Sequence, residues 1–386
     1  MNKWNIYKLV DVCEYSTNRT AHIENYISTE NMLPNKGGVC ASSNIPTGTA
    51  IEYKSGDILI SNIRPYFKKI WQANCNGACS ADVLCIRANE KTNYKYLYYL
   101  LSQESFFNYV MTGAKGCKMP RGDKQHIMNW EVNMPNLKTQ QKIANILSSL
   151  DDKIEVNRRI NGQLEELAQA LFKSWFVDFE PFKDGEFVES ELGMIPEGWK
   201  VGTLGNVADV VMGASPAGSS YNTEGNGSIF YQGRTDFGFR FPNVRMYTTE
   251  PKRFAESNSV LLSVRAPVGD VNIAFEKCCI GRGLASIKSN SNADSYTYYL
   301  MKSLKPVLDN YNNEGTVFGC INKDALNNLS IVVPTIEIIK EFERIVSCSD
   351  MEIRRRSEEI THLTNLRDTL LPKLMSGEID VNEVEI

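Results

Sequence analysis

The sequence predicts an α+β protein: two tandem mixed α/β domains, each followed by a long helix. Three observations point there. The chain overlays on itself at an offset near 199 residues. Each half carries short Ile-, Val- and Leu-rich runs bounded by Gly and Pro, then a Tyr- and Leu-rich helical segment. Each half ends in about forty residues whose apolar positions recur at steps of three, four and seven, the spacing of one helix face.

The duplication is read from matched residues. Trp4, Leu9 and Val12 match Trp199, Leu204 and Val207; GDILISNIRP (56–65) matches NSVLLSVRAP (258–267). Tyr98-Tyr99-Leu100 matches Tyr298-Tyr299-Leu300, and Gly116, Pro135 and Leu137 match Gly315, Pro334 and Ile336. The offset runs through 195, 202 and 200, then holds at 199 along the helices. Loop insertions therefore belong to the domains, and the helices keep a fixed length. A period this long marks a duplicated domain rather than a solenoid.

The first domain, residues 1–136, is expected to hold strands near 57–63, 69–72 and 82–87, a helix near 93–110, a glycine loop and a short strand ending at Pro135. The first long helix, 137–177, starts after Asn136, an N-cap residue by type. At ~1.5 Å per residue it is about 60 Å long, more than a small domain needs, and reads as a spacer. A connector, 178–198, has turn chemistry and acidic character. The second domain, 199–334, repeats the plan with strands near 259–265, 271–275 and 283–288 and a helix near 294–310. Thr335 caps the second long helix, 335–375, and an acidic tail, 376–386, follows a Gly placed to stop it. The residues expected to pair the helices are Ile143, Ile146, Leu150, Ile154, Leu164, Leu167 and Leu171 in the first, and Phe342, Ile345, Ile353, Leu363, Leu366 and Leu370 in the second. Asn157 falls in the heptad series 143, 150, 157, 164, 171, where a buried Asn fixes register.

The net charge is −4, which excludes a uniformly basic nucleic-acid binder. Its distribution is alternating: +4 over 1–136, −5 over 137–198, +2 over 199–334 and −5 over 335–386. No run of eighteen apolar residues and no apolar leader occur, so a cytoplasmic protein is expected. Ten cysteines are scattered without a C-x-x-C pair; the nearest thing to a cluster, Cys75, Cys79 and Cys85, has few histidines to complete it. Reduced, mostly buried thiols are expected, and no metal site. No phosphate loop, H-E-x-x-H or glycine-rich cofactor turn occurs, so no catalytic residue is assigned. The acidic pairs Asp151-Asp152 and Glu165-Glu166 on the first helix read as a solvated face.

Binding chemistry remains. The loops of the first domain offer Thr17, Asn18, Arg19, Asn44, Arg64, Lys68, Lys69, Lys115, Lys118 and Arg121. Those of the second offer Ser215, Tyr221, Gln232, Arg234, Asp236, Arg265, Arg282, Thr316 and Phe318. Arg forks onto guanine, Gln and Asn onto adenine, and Lys meets phosphate.

Together with ALFKSWFVDFEPF (170–182), SELGMIPEGW (190–199), LSVRAPVG (262–269), GRGLASI (281–287) and LRDTLLPKLMSGEIDV (366–381), the duplicated plan resembles the specificity subunit of type I restriction-modification enzymes. The resemblance covers essentially the whole chain. It implies two target-recognition domains that each read one half of a split double-stranded DNA site. It further implies that the two helices pair as an antiparallel coiled coil, set the gap between half-sites and dock two methyltransferase subunits. Restriction subunits that translocate and cut complete the implied complex, in a bacterial or archaeal cytoplasm. S-adenosylmethionine, ATP and Mg2+ then belong to those partners and not to this chain. SNIRPYFKKI departs from the Arg-x-Pro-x-Gly pattern that the second domain carries around Arg265. A coiled-coil adaptor without DNA binding and a self-contained DNA-modifying enzyme are the alternatives. The basic loops oppose the first, and the missing cofactor motifs oppose the second.

Overall fold

The structure, a computed structural model, describes residues 4–42, 44–312 and 319–381. The chain forms two compact units: residues 1–158 with 358–386, and residues 159–357. The two cuts lie 199 residues apart, the offset of the duplication.

Each unit is built on an antiparallel four-stranded sheet of the same order. In the first unit the order is Cys13–Tyr15, Val83–Ala88, Ile58–Ser61, Ile70–Gln72; in the second it is Ala208–Met212, Leu284–Ser289, Val260–Ser263, Val271–Ile273. The central strands Ile58–Ser61 and Val260–Ser263 are buried at all four positions. Continuous apolar runs arise because both faces are covered, and the period of two sorts the side chains. Ile58, Ile60, Leu84 and Ile86 enter the core under the helices, whereas Leu59, Val83 and Cys85 enter a smaller core on the opposite face. Val260, Leu262 and Ile287 against Leu261 and Leu284 repeat this in the second unit.

The helical cover is two helices in each unit, Tyr94–Leu101 with Glu104–Thr112 and Asp294–Ser303 with Lys305–Asp309, where one helix per half was expected. Ser102 marks the break in the first half, and Leu304 marks it in the second, where Pro306 opens the next helix. A two-stranded ladder then returns the chain to the start of its own domain: Asn5–Lys8 with Glu131–Met134, and Lys200–Thr203 with Ser330–Val333. The connector carries a β-hairpin, Phe187–Ser190 with Gly193–Pro196.

The long helices are α1, Leu137–Phe176, and α2, Ile336–Ser376. The Asn136 side chain accepts the Thr139 N–H at 3.0 Å and caps α1. α2 runs through Pro372 and stops at Gly377, whose φ of +76° suits a residue without Cβ. Each helix contributes to both units, and within each the two segments run antiparallel. In the first unit Ile143, Ala144 and Leu147 share a core with Leu371, Leu374 and Met375, while Asp151 meets Arg367 and Lys153 meets Glu359. In the second, Ala168, Phe172 and Phe176 share a core with Ile339, Phe342 and Val346.

Of the residues expected to pair the helices, Ile143, Ile154, Phe342 and Ile353 are buried. Ile146, Leu150, Leu164, Leu171, Leu363 and Leu370 are half-buried. Leu167, Leu366 and Ile345 are corrections: they are exposed, Leu167 at 65%. From Asn157 onward the buried stripe of α1 runs 161, 165, 168, 172, 176 and leaves the heptad series. A straight helix of 3.6 residues per turn drifts ~20° per heptad from a 3.5 repeat, so the buried face slips off Leu164 and Leu167 onto Glu165 and Ala168. Asn157 itself is fully buried.

Among the described residues no helix is long and apolar enough to cross a membrane. All ten cysteines are free; Cys40, Cys117, Cys320 and Cys348 are exposed, more than the sequence suggested.

Candidate nucleic-acid interface

In the second unit, the loops leaving the sheet ends are stitched into one edge by backbone hydrogen bonds. Gly213 N–H donates to Leu284 O (2.9 Å), Gly281 N–H to Tyr231 O (2.8 Å), Val264 N–H to Gly283 O (3.0 Å) and Ala266 N–H to Gly319 O (3.0 Å). Glycine permits the crossing: a Cβ on Gly213 would lie 2.1 Å from Gly281 O, and one on Gly283 2.7 Å from Gln232 O. This brings Ser215, Gln232, Arg234, Arg265 and Arg282 together from four separate stretches of sequence.

Their availability differs. Gln232, Arg265 and Arg282 are exposed, and among the described residues neither Arg265 nor Arg282 has a side-chain partner. Arg234 is exposed but pairs with Asp270, which also takes Lys305 at 3.0 Å. Burial raises the Asp270 pKa, and these two cations outweigh it, holding the carboxyl below its ordinary value. Ser215 Oγ accepts the Arg282 N–H at 3.3 Å. Tyr221 donates its hydroxyl to Pro216 O (3.1 Å) and packs its ring on Phe230. Asp236 is a correction: it is buried, accepts the Gln232 N–H (2.7 Å) and pairs with Arg245. It braces the loop from inside, because a buried carboxylate must be satisfied by donors and leaves none of its lone pairs for a base. Thr316 and Phe318 lie outside the described residues.

The first unit repeats the edge with other side chains. Ser16 N–H donates to Cys85 O (2.8 Å), Asn62 N–H to Asp82 O (2.9 Å) and Arg64 N–H to Pro120 O (2.8 Å). Ile63 bridges to Arg121 as Arg265 bridges to Cys320. Arg64 therefore stands where Ala266 stands, and Ile63 where Arg265 does. The cations have moved: Arg64 and Arg121 here, Arg265 and Arg282 there. Lys115 and Arg121 exchange backbone hydrogen bonds at 2.9 Å and close a loop that exposes Lys118.

Here most cations have partners. Lys115 meets Asp123 (2.8 Å), Arg121 meets Asp82 (3.2 Å) and Lys68 meets Glu104 (2.7 Å). Lys69 donates to Thr29 O, and Arg19 donates to Thr49. The Lys115 ammonium, with the N–H groups of His126 and Gln125, pulls the Asp123 carboxyl down to about 2. Thr17, Asn18 and Asn44 are exposed; among the described residues, no hydrogen bond ties Asn44 to the edge formed by residues 62–69 and 115–121.

Sequence reasoning missed one centre altogether. Arg240, 1% exposed, lies against Glu165 of α1 and 2.6 Å from Asp350 of α2, stacked 4.1 Å over the Tyr298 ring. Lys302 also pairs with Glu165. Glu165 is thus no part of a solvated face. Burial raises its pKa, but Arg240 and Lys302 outweigh this and the net shift is down; for Asp350 burial wins and the shift is up. The signal available was weak: an aspartate and a tyrosine at matched positions, Asp151/Asp350 and Tyr99/Tyr299, with nothing to name Arg240 as their partner.

A family model described as the type I restriction modification DNA specificity domain matches residues 1–166 and 196–362. The chain is 36% identical over 313 residues to a putative type I restriction enzyme MjaX specificity subunit of Methanocaldococcus jannaschii, covering 78% of this chain and 72% of that one. It is 25% identical to the type I restriction enzyme HindI specificity subunit of Haemophilus influenzae, covering 98% and 100%. The solved S subunit of a type I restriction-modification system from M. genitalium shares the fold at 16% identity, with a TM-score of 0.61 over 97% of this chain and 96% of that one.

Proposed function

The chain belongs to the DNA specificity family of type I restriction-modification systems, whose members are non-catalytic specificity subunits, and from that premise we propose that it reads a bipartite duplex site for a methyltransferase. Each unit contacts one half-site through its loop edge. The observation that carries this is the matched pair of edges: Asn62 to Asp82 and Arg64 to Pro120 in one repeat Val264 to Gly283 and Ala266 to Gly319 in the other, with Arg and Lys placed differently on each. One scaffold used twice with different side chains is what two unlike half-sites require.

The two long helices hold the half-sites at one separation, in support of which the sequence offset stays at 199 along them while the domains drift. Two modification subunits dock on the acidic helical segments, and restriction subunits join through them. S-adenosylmethionine, ATP and Mg2+ act on those partners. Binding falls steeply with salt, because phosphate contacts release counterions.

The test is methylation by the chain purified with the modification subunit of its own system, mapped over random duplexes. A defined split site is expected. Methylation without one, or none at all, overturns the reading; binding of no duplex would favour an adaptor instead.

A further inference from the structure

The stretch that leaves the sheet after Ser228–Tyr231 and returns at Tyr247–Thr248 has its ends and its middle held differently. At its ends Asp236 accepts the Gln232 N–H, pairs with Arg245, and takes the Asn243 N–H on its backbone oxygen at 2.7 Å. At its middle Asn272 bonds both backbone groups of Gly238, and Ile273 N–H donates to Arg240 O at 2.9 Å. Gln232, Arg234, Phe239 and Arg245 face solvent. Arg240 turns inward, through the domain, to Glu165 and Asp350 on the two helices, and donates to Tyr299 Oη at 2.8 Å.

The first unit has the same acid and phenol without this reach. Tyr99 donates to Asp151 at 2.6 Å, as Tyr299 faces Asp350, but the cation on Asp151 is Arg367 of α2, at 2.7 Å. At the position matching Glu165, α2 carries Thr364. Among the described residues, a loop cation keyed into both helices belongs to the second unit only.

Resting on the DNA-reading function above, we infer that Arg240 is a positioning residue for the half-site read by the second unit. Its guanidinium seats the 232–245 loop on the helix pair and so fixes Gln232 and Arg234 at the reading edge. A guanidinium suits this place because its planar fork serves two carboxylates and a hydroxyl while stacking on a ring, which an ammonium cannot do. A buried ion network of this kind specifies a geometry more than it adds stability.

The test uses the chain in complex with its modification subunit. Arg282→Ala first identifies the half-site that the second unit reads. Arg240→Met is then expected to lower base discrimination in that half-site by about tenfold or more, the size of one mis-seated base contact. Discrimination in the other half-site and the salt slope of binding stay unchanged, since Arg240 meets no phosphate, and Arg240→Lys recovers part of the loss. If Arg240→Met does not fold, Glu165→Gln is read the same way. Unchanged discrimination in a folded variant overturns the inference, as does an equal loss in both half-sites. A wild-type complex that methylates no split site overturns the function itself, a separate result.

Discussion

Glu165 and Asp350 flank the same guanidinium and are perturbed in opposite directions, so they respond to pH with opposite signs. Glu165 has a folded pKa below its ordinary 4.5, so its contribution to stability is present above that value and is lost as pH falls through the lowered one. Asp350 has a raised pKa: its contribution is present below the ordinary 3.8 and is lost as pH rises through the raised value. Glu165→Gln should therefore destabilise the protein by about 3 kcal/mol at pH 7, the low end for removing one partner from a buried pair. The difference should shrink as pH falls below 4.5. Asp350→Asn should cost less than Glu165→Gln at pH 7. Thermal unfolding of both variants across pH 3–8 checks the order and the slope; equal losses at every pH would refute the assignment.

At the scale of elements, the two loop edges have corresponding backbone bonds and differ in which cations are free. Arg265 and Arg282 have no side-chain partner among the described residues, whereas Lys68, Lys115 and Arg121 are each held by a carboxylate. Arg265→Ala and Arg282→Ala should each relax one base position by about 1–3 kcal/mol. Lys118→Ala should lower the salt slope of binding by about one unit and leave base preference alone. Binding isotherms on substituted duplexes at several salt concentrations separate the two behaviours. The helices allow a second check. Leu167 is 65% exposed and Ala168 3%. Leu167→Asp should change stability by no more than about 0.5 kcal/mol. Ala168→Asp buries a charge beside Phe172 and should cost several kcal/mol. Denaturant titration that ranks them the other way would place the buried stripe on Leu167 instead.

For the whole molecule, the proposed pair of readers on two long helices predicts a fixed spacing between half-sites. One heptad inserted after Leu150 of α1, matched by one in α2, keeps the apolar stripe in phase and lengthens each helix by about 10 Å. The methylated site should then show both half-sites unchanged with a longer gap. Changed half-sites with the old gap would show that the helices do not set the separation.

The sequence by itself determined the duplication, the α+β class, the central strands and the long helices. These rest on local periodicity and on the chain's likeness to itself, and neither depends on which residues meet in space. It also named several of the loops that meet at each edge, such as those of Arg121, Arg265 and Arg282, but it added Asn44, which no hydrogen bond among the described residues ties there. It did not determine which of their polar side chains are free. Asp236 carries the same group as an exposed aspartate, and only the fold closes Gln232 and Arg245 around it. The expected pairing failed at Leu167 for a related reason: the drift of a straight helix moves the buried face by one residue, and what that face meets decides the outcome. Arg240 and Glu165 are 75 residues apart in the chain. A charge announces itself in a sequence, but its partner is chosen by chain closure, and that choice made a glutamate of the expected solvated face the buried partner of an arginine from the 232–245 loop.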